Sequence, residues 1–163
     1  MRFVFFIFFV LGMSASVIAQ NKYFTKQGYI SFYSHTSVED IKAENNQVLS
    51  IIDISTGEVA VTLLMKSFAF EKALMQEHFN ENYVESDKYP KASFSGKIQN
   101  LQDILSGNNN VANIKGNLTI KGVTKPVNIE CKFTLEKDTI TLKGKFMVTV
   151  ADYNIKIPAI VRR

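Results

Sequence analysis

From Val127 to Val150 the chain alternates apolar and polar residues with little interruption, and this limits its fold more than any other feature. Val127, Ile129, Cys131, Phe133 and Leu135 are interleaved with Asn128, Glu130, Lys132, Thr134 and Glu136. Ile140, Leu142, Gly144, Phe146, Val148 and Val150 are interleaved with Thr141, Lys143, Lys145, Met147 and Thr149. A period of two sends alternate side chains to opposite faces of an extended strand. Lys137-Asp138 between the runs suits a tight turn, so the segment predicts a hairpin with one apolar and one polar face. Paired off from that turn, Phe133 falls opposite Leu142 and Phe146 opposite Ile129.

The same period recurs upstream. Ile30 and Phe32 open a first strand. Ile41 and Ala43 give weaker support for one over Val38 to Asn45. Val48, Ile52 and Ile54 mark another, closed by Ser55-Thr56-Gly57, and Val59, Val61, Leu63 and Met65 follow. Ala92, Phe94, Gly96 and Ile98 form a further strand, and Ile114, Leu118 and Ile120 lead into a turn at Gly122. Ile155, Ile157 and Val161 suggest a last strand, with Pro158 marking an edge or a bulge. Glu71 to Glu81 reads differently. It holds good helix formers, and Leu74 with His78 and Met75 with Phe79 are four residues apart, predicting one helix. Ser106 to Asn110 reads as a polar loop. About eight antiparallel strands, each with one apolar face, must hide those faces in a barrel or a sandwich. A barrel of this size is filled by side chains or holds one ligand.

The N-terminus follows another logic. Arg2 precedes the apolar run Phe3 to Gly12, and Val17-Ile18-Ala19 supplies small residues where signal peptidase reads, the layout of a secretory signal peptide. Residues 1–19 are the expected signal peptide, cut after Ala19, leaving 20–163 as one exported domain, periplasmic or secreted. The run is too short for a comfortable membrane span, so no stable span is expected after cleavage. Nothing in the sequence fixes the oligomeric state, and a dimer stays open.

Catalytic chemistry finds little material. The single Cys cannot form an internal disulfide, and His35 and His78 stand apart without an HxxxH or HExxH pattern, so no metal or cofactor is expected. Cys131 sits in the alternating pattern and reads as a small buried hydrophobe. No G-x-S-x-G elbow is present, and Gly122-Val123-Thr124-Lys125 lacks the spacing of a phosphate loop. The net charge of +4 is spread over 19 Lys and Arg without a basic run, which argues against nucleic acid as a partner.

Three segments carry a family resemblance. Gly116-Asn117-Leu118-Thr119-Ile120-Lys121-Gly122-Val123-Thr124-Lys125-Pro126-Val127 resembles the G-x-L-T-I-x-G-x-T-x-x-V signature of the YceI-like family. His78-Phe79, followed by Tyr89-Pro90-Lys91-Ala92-Ser93-Phe94, resembles that family's helix and following loop. Ala151-Asp152-Tyr153-Asn154-Ile155 resembles its D-[FY]-G-I segment, with Asn154 in place of the Gly. The resemblance implies an all-β, lipocalin-like antiparallel β-barrel of about eight strands with one helix. It also implies a bacterial exported protein that binds a polyisoprenoid or other long-chain amphiphilic lipid, without catalysis. The expected apolar lining is Ile129, Phe133, Leu142, Phe146 and Val148, joined by Phe79 and His78 from the helix. The alternative is an envelope structural or interaction protein whose barrel is packed solid.

Overall fold

A computed structural model of the chain describes residues 21–35 and 40–156. The expected signal peptide, the start of the Val38–Asn45 segment, and Ile157, Pro158 and Val161 lie outside the described residues. The strands are β1 (Lys22–His35), β2 (Asp40–Asp53), β3 (Glu58–Leu64), β4 (Ala69–Phe70), β5 (Lys91–Ile98), β6 (Val111–Ile120), β7 (Val123–Glu136) and β8 (Thr139–Gly144). All pairings are antiparallel, in the order β1-β2-β3-β5-β6-β7-β8, with the short β4 pairing to β2. The sheet curls into a nearly closed barrel, the all-β architecture the alternation predicts.

Strand β2 shows why its alternation is weak in the sequence. Ala43 and Asn45 are buried at odd positions, whereas Val48 and Ile52 are buried at even ones. The register with β1 shifts twice here, between Thr25 and Gly28 and between Gly28 and Ile30. Such irregularities insert residues that change which face the following side chains take. Asn45 is fully buried at this step. Its Nδ2 donates to the Leu64 carbonyl at 3.2 Å and its Oδ1 accepts from the Gln47 backbone N–H at 2.8 Å, so the polar side chain is satisfied.

The expected helix forms as α1 (Ala73–His78), continued by a π turn over Phe79–Tyr83. Leu101–Leu105, between the strand ending at Ile98 and the polar loop Ser106–Asn110, forms a second, one-turn helix, α2, whose Leu101 and Ile104 are buried. The hairpin β7–β8 has the predicted register, with Phe133 opposite Leu142 across the Lys137-Asp138 turn. It is shorter than predicted. The ladder ends where Gly144 faces Cys131, so Phe146 does not pair with Ile129. A Cβ at Gly144 would lie 2.6 Å from Cys131 Sγ and 2.6 Å from the Glu130 carbonyl, so the two chains approach closely at that last pair. Beyond it, residues 145–149 leave the sheet and a 3-10 turn follows at Val150–Tyr153, returning Tyr153 to the core.

The interior divides into two apolar clusters. One lies against α2 and includes Ile52, Val59, Phe94, Ile98, Leu101, Ile104, Ala112, Ile114, Cys131 and Phe133. The other includes Ala43, Val48, Leu63, Met65, Phe68, Phe79, Val84 and Ala92. Val61, Ile120 and Ile155 pack against both and join them.

Candidate functional site

The inward face of the sheet is not buried evenly. On β5 and β6, Ala92, Phe94, Ile98, Ala112, Ile114 and Leu118 are buried. Phe94 owes part of this to Gly96 and Gly116, which face each other across the two strands. A Cβ on Gly96 would come within 2.6 Å of Phe94 Cζ, and one on Gly116 within 2.7 Å of the same atom. The ring therefore lies over two positions that only glycine leaves vacant. On β7 the inward Val127 and Ile129 are half-buried, as are Ile140 and Leu142 on β8 and Ile30 and Phe32 on β1. These six side chains pack against the two clusters while keeping apolar surface accessible.

A polar cavity, the candidate mouth, lies at the β6–β7 turn. The β6–β7 hairpin turns at Lys121-Gly122, both with positive φ (49° and 73°), the geometry of a two-residue hairpin turn. The Tyr89 ring packs on that turn, since a Cβ on Gly122 would lie 2.8 Å from Tyr89 Cε1. Lys121 Nζ pairs with Glu85 Oε1 at 2.6 Å and donates to the Asn154 carbonyl at 3.3 Å. Asn154 has φ 56°, the left-handed conformation that Asn tolerates better than most residues, which accounts for its standing in a glycine position of the motif. The pairing with Lys121 holds the Glu85 carboxyl below the ordinary carboxylate range. The Lys88 ammonium sits 5.1 Å from the Tyr89 ring centroid, and its pKa is raised, chiefly by a hydrogen bond to Tyr89. Asn82, Glu85, Lys88, Tyr89, Lys121, Asn154 and Lys156 enclose an open cavity of about 470 Å³.

The residues expected to line a ligand site are dispersed. Phe133 is buried in the cluster against α2, with Ile129 and Leu142 half-buried beside it. Phe79 is buried in the other cluster. His78 is exposed, because α1 turns Met75 and Phe79 inward and leaves Leu74 and His78 on the outside. Phe146 and Val148 are exposed because the strand that was to carry them ends at Gly144. His35 is also on the surface, its Nδ1 2.6 Å from Asp40 Oδ1. Among the described residues no group of three or more His, Cys, Asp or Glu is gathered as metal ligands would be. Burial pushes the Cys131 thiol pKa up, away from the reactive thiolate.

Two groups escaped the sequence. Phe32, Phe68, Phe70 and Phe79 form a cluster of rings with centroids 5.0–5.9 Å apart. The i, i+2 spacing of Phe68 and Phe70 was its only local signal. Lys121, Glu85 and Asn154 come from three separate motifs, and nothing local announces that they touch.

Residues 22–162 match the YceI-like domain. No curated protein matches the chain. Solved structures share the fold at low identity. A polyisoprenoid binding domain from Saccharophagus degradans, implicated in plant cell wall breakdown, is 12% identical, with a TM-score of 0.68 over 83% of this chain and 82% of that one. BcnA of Burkholderia cenocepacia is 15% identical, with a TM-score of 0.55 over 83% and 74%. The YceI protein of Campylobacter jejuni is 17% identical, with a TM-score of 0.52 over 94% and 80%.

Proposed function

Because the chain belongs to the YceI-like domain family, we propose that it is an exported, non-catalytic carrier of a long-chain amphiphilic lipid of the polyisoprenoid class. The observation that carries this reading is the half-buried apolar face of β7, β8 and β1 in a barrel that also carries a polar cavity. Val127, Ile129, Ile140, Leu142, Ile30 and Phe32 keep apolar surface accessible, and Ile120 and Ile155, which pack against both clusters, stand next in sequence to Lys121 and Asn154 in the wall of the polar cavity. Accessible apolar surface together with a polar cavity is complementary to a molecule with a long tail and a small head. The similar Saccharophagus degradans domain, described as polyisoprenoid binding, supports the same ligand class.

Each buried methylene contributes about 0.8 kcal/mol, so a chain of several isoprene units binds strongly without a charged anchor, less the cost of ordering it. Export rests on Arg2, the apolar run and Val17-Ile18-Ala19, with release after Ala19 into the periplasm or beyond. No helix among the described residues is long and apolar enough to cross a membrane.

The deciding experiment is mass spectrometry of lipids extracted from the protein isolated from its native envelope. A stoichiometric long-chain lipid supports the carrier. A lipid-free protein that fails to take up polyprenols defeats it. A second reading, a packed barrel that meets an envelope partner, draws on the exposed Phe24, Leu49 and Ile51 on the outer face of β1 and β2.

A further inference from the structure

We propose that the mouth cavity between Lys88, Lys121 and Lys156 is a phosphate site, which would make the carried amphiphile a phosphate-headed one. This rests on the carrier reading above and adds the chemical class of the head. Three lysines and one glutamate line the cavity, leaving two positive charges in excess around about 470 Å³. That excess matches the dianion of a phosphate monoester better than it matches a neutral alcohol or a single carboxylate.

The site is organised as well as charged. The Lys121 side chain is only 11% exposed, and Glu85 and the Asn154 carbonyl hold its ammonium at the cavity wall. Two of its donors are thereby engaged and a third is left for a ligand. Lys88 is placed by Tyr89, which is itself seated on Gly122. Glu85, Lys121 and Asn154 come from three different loops, and all three have left-handed backbone (φ 49°, 49° and 56°). Lys121 takes it as the first residue of the two-residue β6–β7 turn, and Asn154 tolerates it better than most residues. Ile120 and Ile155, which pack against both apolar clusters, stand next in sequence to Lys121 and Asn154 of the cavity wall, so the cavity lies close to the apolar interior.

Glu85 gives the proposal a sign that a purely structural ion pair would not have. In the empty site its carboxylate neutralises Lys121. In the occupied site it competes with phosphate for that ammonium and repels it. Removing its charge therefore tightens phosphate binding, whereas removing a lysine charge weakens it.

The test compares geranylgeranyl monophosphate, geranylgeraniol and inorganic phosphate, by calorimetry on the delipidated exported protein at low ionic strength. The monophosphate is expected to bind roughly tenfold tighter than the alcohol of the same chain. The gap should shrink with added salt, because the rim is partly exposed. It should narrow in Lys121→Met and widen in Glu85→Gln. Lys88→Met/Lys156→Met, altering two exposed side chains, reads the same charge dependence if Lys121→Met fails to fold. Equal binding of the alcohol and the monophosphate overturns the phosphate site and leaves the carrier intact. Lysine-dependent binding of inorganic phosphate with no uptake of either chain upholds the site for a free anion and defeats the carrier. Absence of all binding defeats both.

Discussion

Phe94 and Ile98 on β5 and Ile114 and Leu118 on β6 are each less than a tenth exposed, whereas Val127 and Ile129 on β7 and Ile30 and Phe32 on β1 keep accessible surface. All of them alternate with polar neighbours in the same way. They differ in where their strands lie. β5 and β6 have strands hydrogen-bonded on both sides and α2 beneath them, while β1 stands at one end of the strand order and Val127 and Ile129 on β7 lie beyond the last pair with β8, Cys131–Gly144. An inward side chain in the middle of the order is covered by neighbours from every direction. One near an end borders the seam. Cys131 and Phe133 show that the division cuts through a single strand, since they are buried on the same face of β7 where Val127 and Ile129 are not. The middle strands therefore hold the fold together, and the seam strands offer apolar surface for something else to cover.

The sharpest way to break this comparison is to hollow the middle. Phe94→Ala is expected to cost about 3–5 kcal/mol of stability, with Phe133→Ala in the same range, since each removes a buried ring that the backbone cannot replace. Urea denaturation would measure it, and a loss under 1 kcal/mol at either site would mean the clusters are not close-packed.

Gly116→Ala tests the other side of the same packing. Its Cβ would lie 2.6 Å from the Gly96 Cα and 2.7 Å from the Phe94 ring, so a destabilisation of about 1–3 kcal/mol is expected. An unchanged midpoint in denaturant would show that the ring need not rest over the glycine pair.

At the seam, Ile129→Ala and Leu142→Ala should cost less stability than at Phe94, about 1–2 kcal/mol, because these side chains are already half-exposed. They should also weaken polyprenol binding by about 1–2 kcal/mol. Full retention of affinity alongside a large drop in melting temperature would move them from lining to core.

Phe146→Ala is expected to change stability by no more than about 0.5 kcal/mol in melting experiments, because the residue is 44% exposed beyond the end of β8. A loss comparable to that of Phe133→Ala would show that the strand continues past Gly144 in solution.

The smallest effect concerns pH. Pairing with Lys121 lowers the Glu85 pKa, so its contribution to stability is full above the ordinary carboxylate value and is lost as pH falls through the lowered one. The melting temperature of the parent should therefore exceed that of Glu85→Gln near neutrality, with the difference disappearing in acid. A difference that persists at low pH would assign the contribution to packing instead of charge.

Much of the barrel was legible because its causes are local. The hairpin register followed from alternation and a two-residue turn, and Phe133 indeed faces Leu142. The strand was predicted too long because the pattern of Phe146 and Val148 persists after the ladder stops, and alternation does not record where a partner strand ends. β2 was hard to read because its alternation changes phase at Asn45, a polar residue buried by partners 2 and 19 positions away. His78 was placed inward because two helix faces carried i, i+4 pairs, and only packing against Phe32, Phe68 and Phe70 selected the Met75–Phe79 face.

The sequence by itself determined that this chain forms amphipathic antiparallel strands with one main helix, because a period of two, tight turns and helix-forming runs are properties of neighbouring residues. The tertiary structure alone decided which inward side chains became core and which remained lining, and that Glu85, Lys121 and Asn154 meet at one mouth. The physical reason is that burial and ion pairing depend on distance in space. The fold brings Glu85 and Asn154, 69 positions apart along the chain, onto the same Lys121 ammonium, with no periodicity to announce either contact.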